Sequence, residues 1–200
     1  MSITEHLSTD LSDDEIYGRS ALINGEPWIV PGSLTFLKSI VQPTWKVFEW
    51  GSGGSTVFFG RHCKSVFSVE HNSEWIKRTA NKLQAANITN VTQLYRRGLP
   101  EDKPDRFRPY ADTINVYPDE SFDLIFVDGE ASSRSWCIAN AIPKLKPGGW
   151  LLVDNSNLFH SKSSHVWDEW ERDDYIAKGL KWVGQPGTFD WWTSIMRKPE

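Results

Sequence analysis

Four acidic residues, Glu49, Glu70, Asp128 and Asp154, each stand at the end of a run rich in β-branched and aromatic residues. Carboxylates at the carboxyl ends of neighbouring strands share one rim of a sheet. There they can accept hydrogen bonds from hydroxyl and ammonium groups, hold a cation or take up a proton. Beside the first of them lies Gly51-Ser52-Gly53-Gly54-Ser55, with a new apolar pattern (Val57, Phe58, Phe59) directly after it. That order reads as strand, tight glycine turn, helix. Glycine supplies positive φ and lets a ligand lie against the backbone. The unpaired N–H groups opening the helix then offer donors and a positive dipole end.

The elements that position these residues follow from periodicity. Val47 to Trp50, Ser65 to Glu70, Val91 to Tyr95, Phe122 to Val127 and Trp150 to Asn155 read as strands, the fourth as a continuous apolar run buried on both faces. Helical patterns separate them. Leu34, Leu37, Ile40 and Val41 form one, with Ser33 as its cap and Pro43 as its stop; Trp75, Ile76, Ala80 and Leu83 form another behind Asn72 or Ser73; Ile138, Ala141, Ile142 and Leu145 a third. A further helix is expected from Ser163 or Ser164 through Ala177 to Gly179, then strands over Leu180 to Val183 and Trp191 to Met196. The turn Lys146-Pro147-Gly148-Gly149 precedes the Asp154 strand. Alternating strands and helices predict a doubly wound, Rossmann-like α/β domain with a seven-stranded, mostly parallel sheet whose last strand is antiparallel.

Within that frame, residues 1–15 are expected to be a mobile tail and 16–200 a single domain, with a helical cap over 16–45 and a lid-like insertion over 96–120. Four prolines and mixed charge mark the insertion, for which a disordered loop stays the other reading. A net charge of -4 and no basic run interleaved with aromatics argue against nucleic acid. No stretch of eighteen apolar residues and no basic-then-apolar leader predict a cytoplasmic protein without a membrane partner. Two cysteines, far apart, outline neither a zinc site nor a disulfide framework.

The glycine turn departs from the dinucleotide fingerprint G-x-G-x-x-G, because Thr56 stands at the third glycine. What stands here, E-x-G-x-G-G from Glu49, resembles the first motif of class I methyltransferases that use S-adenosylmethionine. F-D-L-I-F-V-D-G and L-K-P-G-G-W-L-L-V-D-N are similar to later motifs of the same family, and the likeness covers residues 46–155. Small bacterial-type members share the Asp128-Gly129, Arg134 and Asp154-Asn155-Ser156 pattern. The resemblance implies methyl transfer to a small-molecule O- or N-nucleophile. It also implies a cofactor held by Glu49, Gly51, Ser52, Gly53, Gly54, Ser55, Glu70, His71 and Asp128. A carboxylate at Glu49 suits the cofactor's ammonium and repels a pyrophosphate, and Glu70 follows Gly51 at the roughly 20-residue spacing that serves ribose hydroxyls. Asp128, Asp154 and His160 are the candidate bases, and Arg134, Asn155 and Tyr110 the candidate acceptor contacts.

Asp128, Asp154 and Asn155 also match the magnesium ligands of catechol-type O-methyltransferases, whose lysine base is missing over Glu130, Ala131, Ser132 and Ser133. Arg134 cannot replace that base, so the expectation is set against a metal site. A magnesium-dependent enzyme, a non-catalytic cofactor sensor and another nucleotide-binding α/β protein remain the alternatives. The partners expected are a small-molecule substrate and, for assembly, a second copy in a homodimer.

Overall fold

The computed structural model describes residues 13–156, 176–182 and 191–199. β1 (Lys46–Trp50) is central, paired in parallel with β2 (Ser65–Glu70) on one side and β4 (Phe122–Val127) on the other. β3 (Val91–Tyr95) extends the sheet beyond β2, and β5 (Leu145–Asp154) beyond β4, both in parallel. β7 (Trp191–Arg197) pairs antiparallel with β5, so the order across the sheet is β3-β2-β1-β4-β5-β7, a mostly parallel Rossmann-like arrangement with an antiparallel final strand. β6 (Ile176–Trp182) runs antiparallel along the far side of β7.

Alternation along β1 divides the core. Phe48 and Trp50 face a cluster with Val69, Ile125, Val127, Ile138 and Val153, beneath α6 (Arg134–Lys144). Val47 faces the other cluster with Phe58, Phe59, Val66, Leu124, Phe126 and Leu152, beneath α3 (Gly54–His62). Period-two side chains on a sheet covered on both faces require this split. Each fully buried large side chain contributes about 2–3 kcal/mol.

The remaining helices depart from the expected pattern in instructive ways. α1 (Asp13–Asn24) begins inside the segment expected as a tail; its apolar residues form no continuous stripe, which is why periodicity misses it. α2 (Pro31–Ile40) starts earlier than expected, with proline in its first turn and Val30 as cap. Ser33 is therefore inside the helix, donating its hydroxyl to the Thr193 carbonyl at 3.2 Å. α4 (Ser73–Ala85) is capped as expected by Asn72, whose Oδ1 accepts from the amides of Glu74 and Trp75.

In the 96–120 insertion, α5 (Arg108–Ala111) and a 3-10 turn (Asp112–Val116) place Tyr110, Ala111 and Ile114 fully inside the core. β5 runs through the expected 146–149 turn: Leu145 pairs with Phe122 and Trp150 with Leu124, and the four residues between them lie in a register shift. Ile176 to Gly179, expected as a helix end, is the first half of β6: the open edge of β7 offers backbone partners that local sequence cannot reveal. The rest of that expected helix lies outside the described residues, as do most of the tail and His160.

Candidate active site

Chain reversal decides where the site lies. From β1 the strands step outward to β3, and the chain then crosses back to place β4 on β1's other side, which opens a crevice at the carboxyl ends of β1 and β4. Gly51, with φ 101°, turns the chain out of β1. A Cβ there would sit 2.9 Å from the amide nitrogen of Gly129, so the two turns after β1 and β4 pack backbone to backbone. Gly54 opens α3 closer still to another backbone: a Cβ would lie 2.0 Å from the Glu26 carbonyl oxygen.

Glu49 lies under this turn and is fully buried. Ser55 Oγ donates to its Oε2 at 2.8 Å, while Oε1 has no hydrogen-bond partner among the described residues. Burial pushes its carboxyl up to about 7, against the hydroxyls of Thr56, Ser55 and Ser68, with the charge of Glu70 adding to the rise. A buried acceptor without a donor is costly alone and reads as one half of an interaction. An ammonium or N–H-bearing ligand in the turn would supply the other half.

Glu70 is organised differently. Its Oε2 accepts from the Ser52 amide at 2.8 Å, and its Oε1 accepts from the amides of His71 and Asn72 at 2.9 and 2.7 Å. Ser52 also exchanges a hydrogen bond with Ser68 through their hydroxyls at 2.7 Å, and Gly53 donates its amide to Thr56 Oγ1 at 2.8 Å. The turn is thus fixed before any ligand arrives. His71 bridges two acids: Nδ1 lies 3.2 Å from Glu70 and Nε2 3.6 Å from Glu130. Burial depresses the imidazole, but the carboxylates of Glu70, close against Nδ1, and of Glu130 outweigh it and raise its pKa.

Asp128 directly follows β4 and Asp154 ends β5. Burial, then the charge of Asp154, pushes the Asp128 carboxyl well above the usual carboxylate range; Arg134 opposes this, and Glu49 and Glu70 add to it. The four acids therefore do share one rim, close enough to act on one another's ionisation. Asp128 is the least enclosed member, though still partly buried: its side chain is 27% exposed, whereas the Glu70 side chain is 4% exposed and Asp154 as a residue 3%. Asp154 Oδ1 accepts from Thr193 Oγ1 at 2.5 Å.

Arg134, 6% exposed, reaches across from the start of α6 to both strand-end turns. Its Nη1 donates to the Asp154 carbonyl and, at 2.9 Å, to Asn155 Oδ1; Nη2 donates to the Asp128 carbonyl at 3.0 Å. Nε and Nη2 both reach the Gly129 carbonyl, at 3.1 and 3.0 Å. Asn155 adopts φ 49°, which aims its amide inward.

Tyr110 corrects an expectation. It is fully buried, its hydroxyl donating to the Val69 carbonyl at 3.4 Å and lying 1.8 Å from where a Cβ on Gly129 would stand. It therefore forms the wall behind the crevice and presents no surface to an acceptor. Sequence reasoning passed over Thr56, Ser68, Glu130 and Thr193, each of which fixes a predicted residue. Only the pairing of Ser68 with Glu49 across β1 and β2 had a local signal, a polar residue within a buried strand.

A glycine turn backed by a buried carboxylate, at the switch point of a parallel sheet, defines an α/β protein built to bind a nucleoside-bearing ligand. Residues 48–156, more than half of the chain, match the family model described as Methyltransferase domain. The chain belongs to this family and is an S-adenosylmethionine-dependent methyltransferase of class I.

Among solved structures, the Streptococcus mutans protein SMU.1697c in complex with SAH is similar at 16% identity and a TM-score of 0.60, over 84% of this chain and 98% of that one. An rRNA methylase from Streptococcus thermophilus is similar at 14% identity and 0.61, over 84% and 95%. The N-methyltransferase NodS from Bradyrhizobium japonicum is similar at 16% and 0.57, over 94% and 100%. At these identities the likeness is one of fold. No curated protein matches the sequence. Among the described residues no helix is long and apolar enough to cross a membrane.

Proposed function

We propose that this protein methylates an oxygen or nitrogen of a small-molecule acceptor, with the cofactor seated between the turns after β1, β2 and β4. The observation that carries the reading is the orphaned Glu49 Oε1 in a rim holding four acids. Such a rim favours a cationic ligand and repels a polyanionic one. Gly51, Ser52, Gly53, Gly54 and Ser55 form the cradle, Glu49 answers the cofactor's ammonium, Glu70 its ribose hydroxyls, and His71 borders the same edge. When bound, S-adenosylmethionine supplies a methyl group already made electrophilic by its sulfonium.

The chain's own contribution is alignment and proton removal. Asp128 is the base of this reading: it is the least enclosed acid of the rim. The acceptor's O–H or N–H proton passes to Asp128 as the nucleophile takes the methyl. Asp154, held by Thr193, and Asn155, held by Arg134, shape the acceptor side. The reading treats residues 16–200 as one catalytic unit, β6 as its seventh strand, residues 96–120 as the lid-like insertion and the cytoplasm as its setting.

Calorimetry with S-adenosylhomocysteine and with NAD, followed by product detection against a panel of hydroxyl, amine and RNA acceptors, tests it. Homocysteine-product binding together with methylation of a small acceptor supports the proposal. Binding of NAD instead, or methylation confined to RNA, overturns it, and binding without any product favours a cofactor sensor.

A further inference from the structure

We infer that Arg134 is a resident cation, occupying the oxygen cage at the ends of β4 and β5 where a divalent metal would otherwise sit, and clamping the Asp128 turn against the cofactor cradle. The inference rests on the proposed reading for the clamp's effect on cofactor affinity, and on the geometry alone for the cage. Carbonyl oxygens of Asp128, Gly129 and Asp154, with the side-chain oxygens of Asn155 and Asp128, surround one guanidinium; the Asp128 carboxylate lies 3.5 Å from Nη2. These are hard oxygen donors of the kind magnesium takes. Here Arg134 makes five hydrogen bonds to described residues, two of them to the Gly129 carbonyl, so that four of these oxygens are engaged and the fifth, on the Asp128 carboxylate, faces Nη2 as an ion pair.

A metal entering the cage would meet a positive charge at contact distance and would have to displace a buried side chain. The residues present therefore do not fit a magnesium site, although the Asp128 carboxylate and the Asn155 amide of one line the cage; Asp154 turns only its carbonyl to it, its carboxylate accepting from Thr193. Among the described residues, no three His, Cys, Asp or Glu side chains converge as a metal-binding group.

The clamp reaches the cradle through two contacts. Arg134 holds the Gly129 carbonyl, and Gly129 is the residue packed against Gly51 in the turn after β1. Asp128 donates its amide to the Trp50 carbonyl at 3.0 Å, so the same turn is stitched to the end of β1. Fixing carbonyls on two separate turns takes a planar fork; a lysine, with a single point charge, reaches fewer of them at once.

Manganese titration followed by electron paramagnetic resonance, on the ligand-free full chain, tests the cage without involving the cofactor. Wild type should bind no equivalent at millimolar metal, and Arg134→Ala should gain one that is lost again when Asp128→Asn is added. One equivalent bound to wild type and lost in Asp128→Asn overturns the inference, as does an Arg134→Ala protein that folds and gains none.

Calorimetry with S-adenosylhomocysteine tests the clamp. Arg134→Ala should bind about tenfold more weakly, the loss of charge-assisted hydrogen bonds, and Arg134→Lys should recover part of that. Unchanged affinity in Arg134→Ala overturns the clamp, and Arg134→Lys with wild-type manganese behaviour keeps the test available should the alanine variant not fold. If wild type itself fails to bind the homocysteine product, the proposed function falls while the manganese result still stands.

Discussion

Thr193 Oγ1 donates to Asp154 Oδ1 at 2.5 Å and accepts from the Val30 amide at 3.1 Å, so one hydroxyl on β7 ties an acid of the rim to the cap of α2. All three residues are buried. Thr193→Val keeps the volume but leaves the Val30 amide without this acceptor and takes one donor from the Asp154 carboxylate. Urea denaturation should show a loss of about 1–3 kcal/mol, with Thr193→Ser close to wild type.

Glu49 gives the protein a pH signature of definite sign. Its carboxyl titrates near 4.5 in the unfolded chain and at about 7 in the native state. Between those values the native protein holds a proton that the unfolded chain has released, so stability falls as pH rises through the window, by on the order of 3 kcal/mol. Glu49→Gln removes the titration. The variant should gain on wild type in chemical denaturation as pH rises from about 5 to about 8. Affinity for the cationic cofactor should move the opposite way in wild type, strengthening with pH, and lose that dependence in the variant.

Gly129 and Tyr110 form a coupled pair. Gly129→Ala drives a Cβ into the Tyr110 hydroxyl, an overpacking that should lower stability by about 1–3 kcal/mol in thermal or chemical melts. Tyr110→Phe removes the atom nearest the clash, so the double variant should be more stable than the sum of the single losses predicts. Strict additivity would contradict the close contact between these two residues.

Glu70 should matter to cofactor affinity far more than to catalysis once the cofactor is saturating. Glu70→Ala is expected to weaken S-adenosylhomocysteine binding by roughly tenfold to a hundredfold, the range for a charged hydrogen-bonding group. Part of that loss will come through the turn, because Ser52, His71 and Asn72 lose their common acceptor.

His71 reports the charge around it. Glu130→Gln removes one of the acids that raise its pKa, so an NMR titration should show the imidazole releasing its proton at lower pH than in wild type. The stabilisation from this contact is present below 6.5 and disappears as pH climbs through the raised native value.

Sequence alone determined the alternation of strands and helices, the glycine turn after Glu49 and the placing of four acids at strand ends, because these depend on period and on local backbone demands. A strand's period is two whatever it pairs with, and Gly51 needs positive φ wherever the turn is placed. Tertiary structure alone decided what each of those residues does. Thr193 and Ser68 carry no motif, yet one holds Asp154 and the other the Ser52 turn through contacts that exist only once β7 pairs with β5 and β2 with β1. Tyr110 looked available in a proline-rich insertion and became wall, since burying an aromatic ring in the core outweighs exposing it at a rim. Arg134 read as an acceptor contact became the cation of an oxygen cage, because the turns that supply its acceptors meet only when β4 and β5 pair.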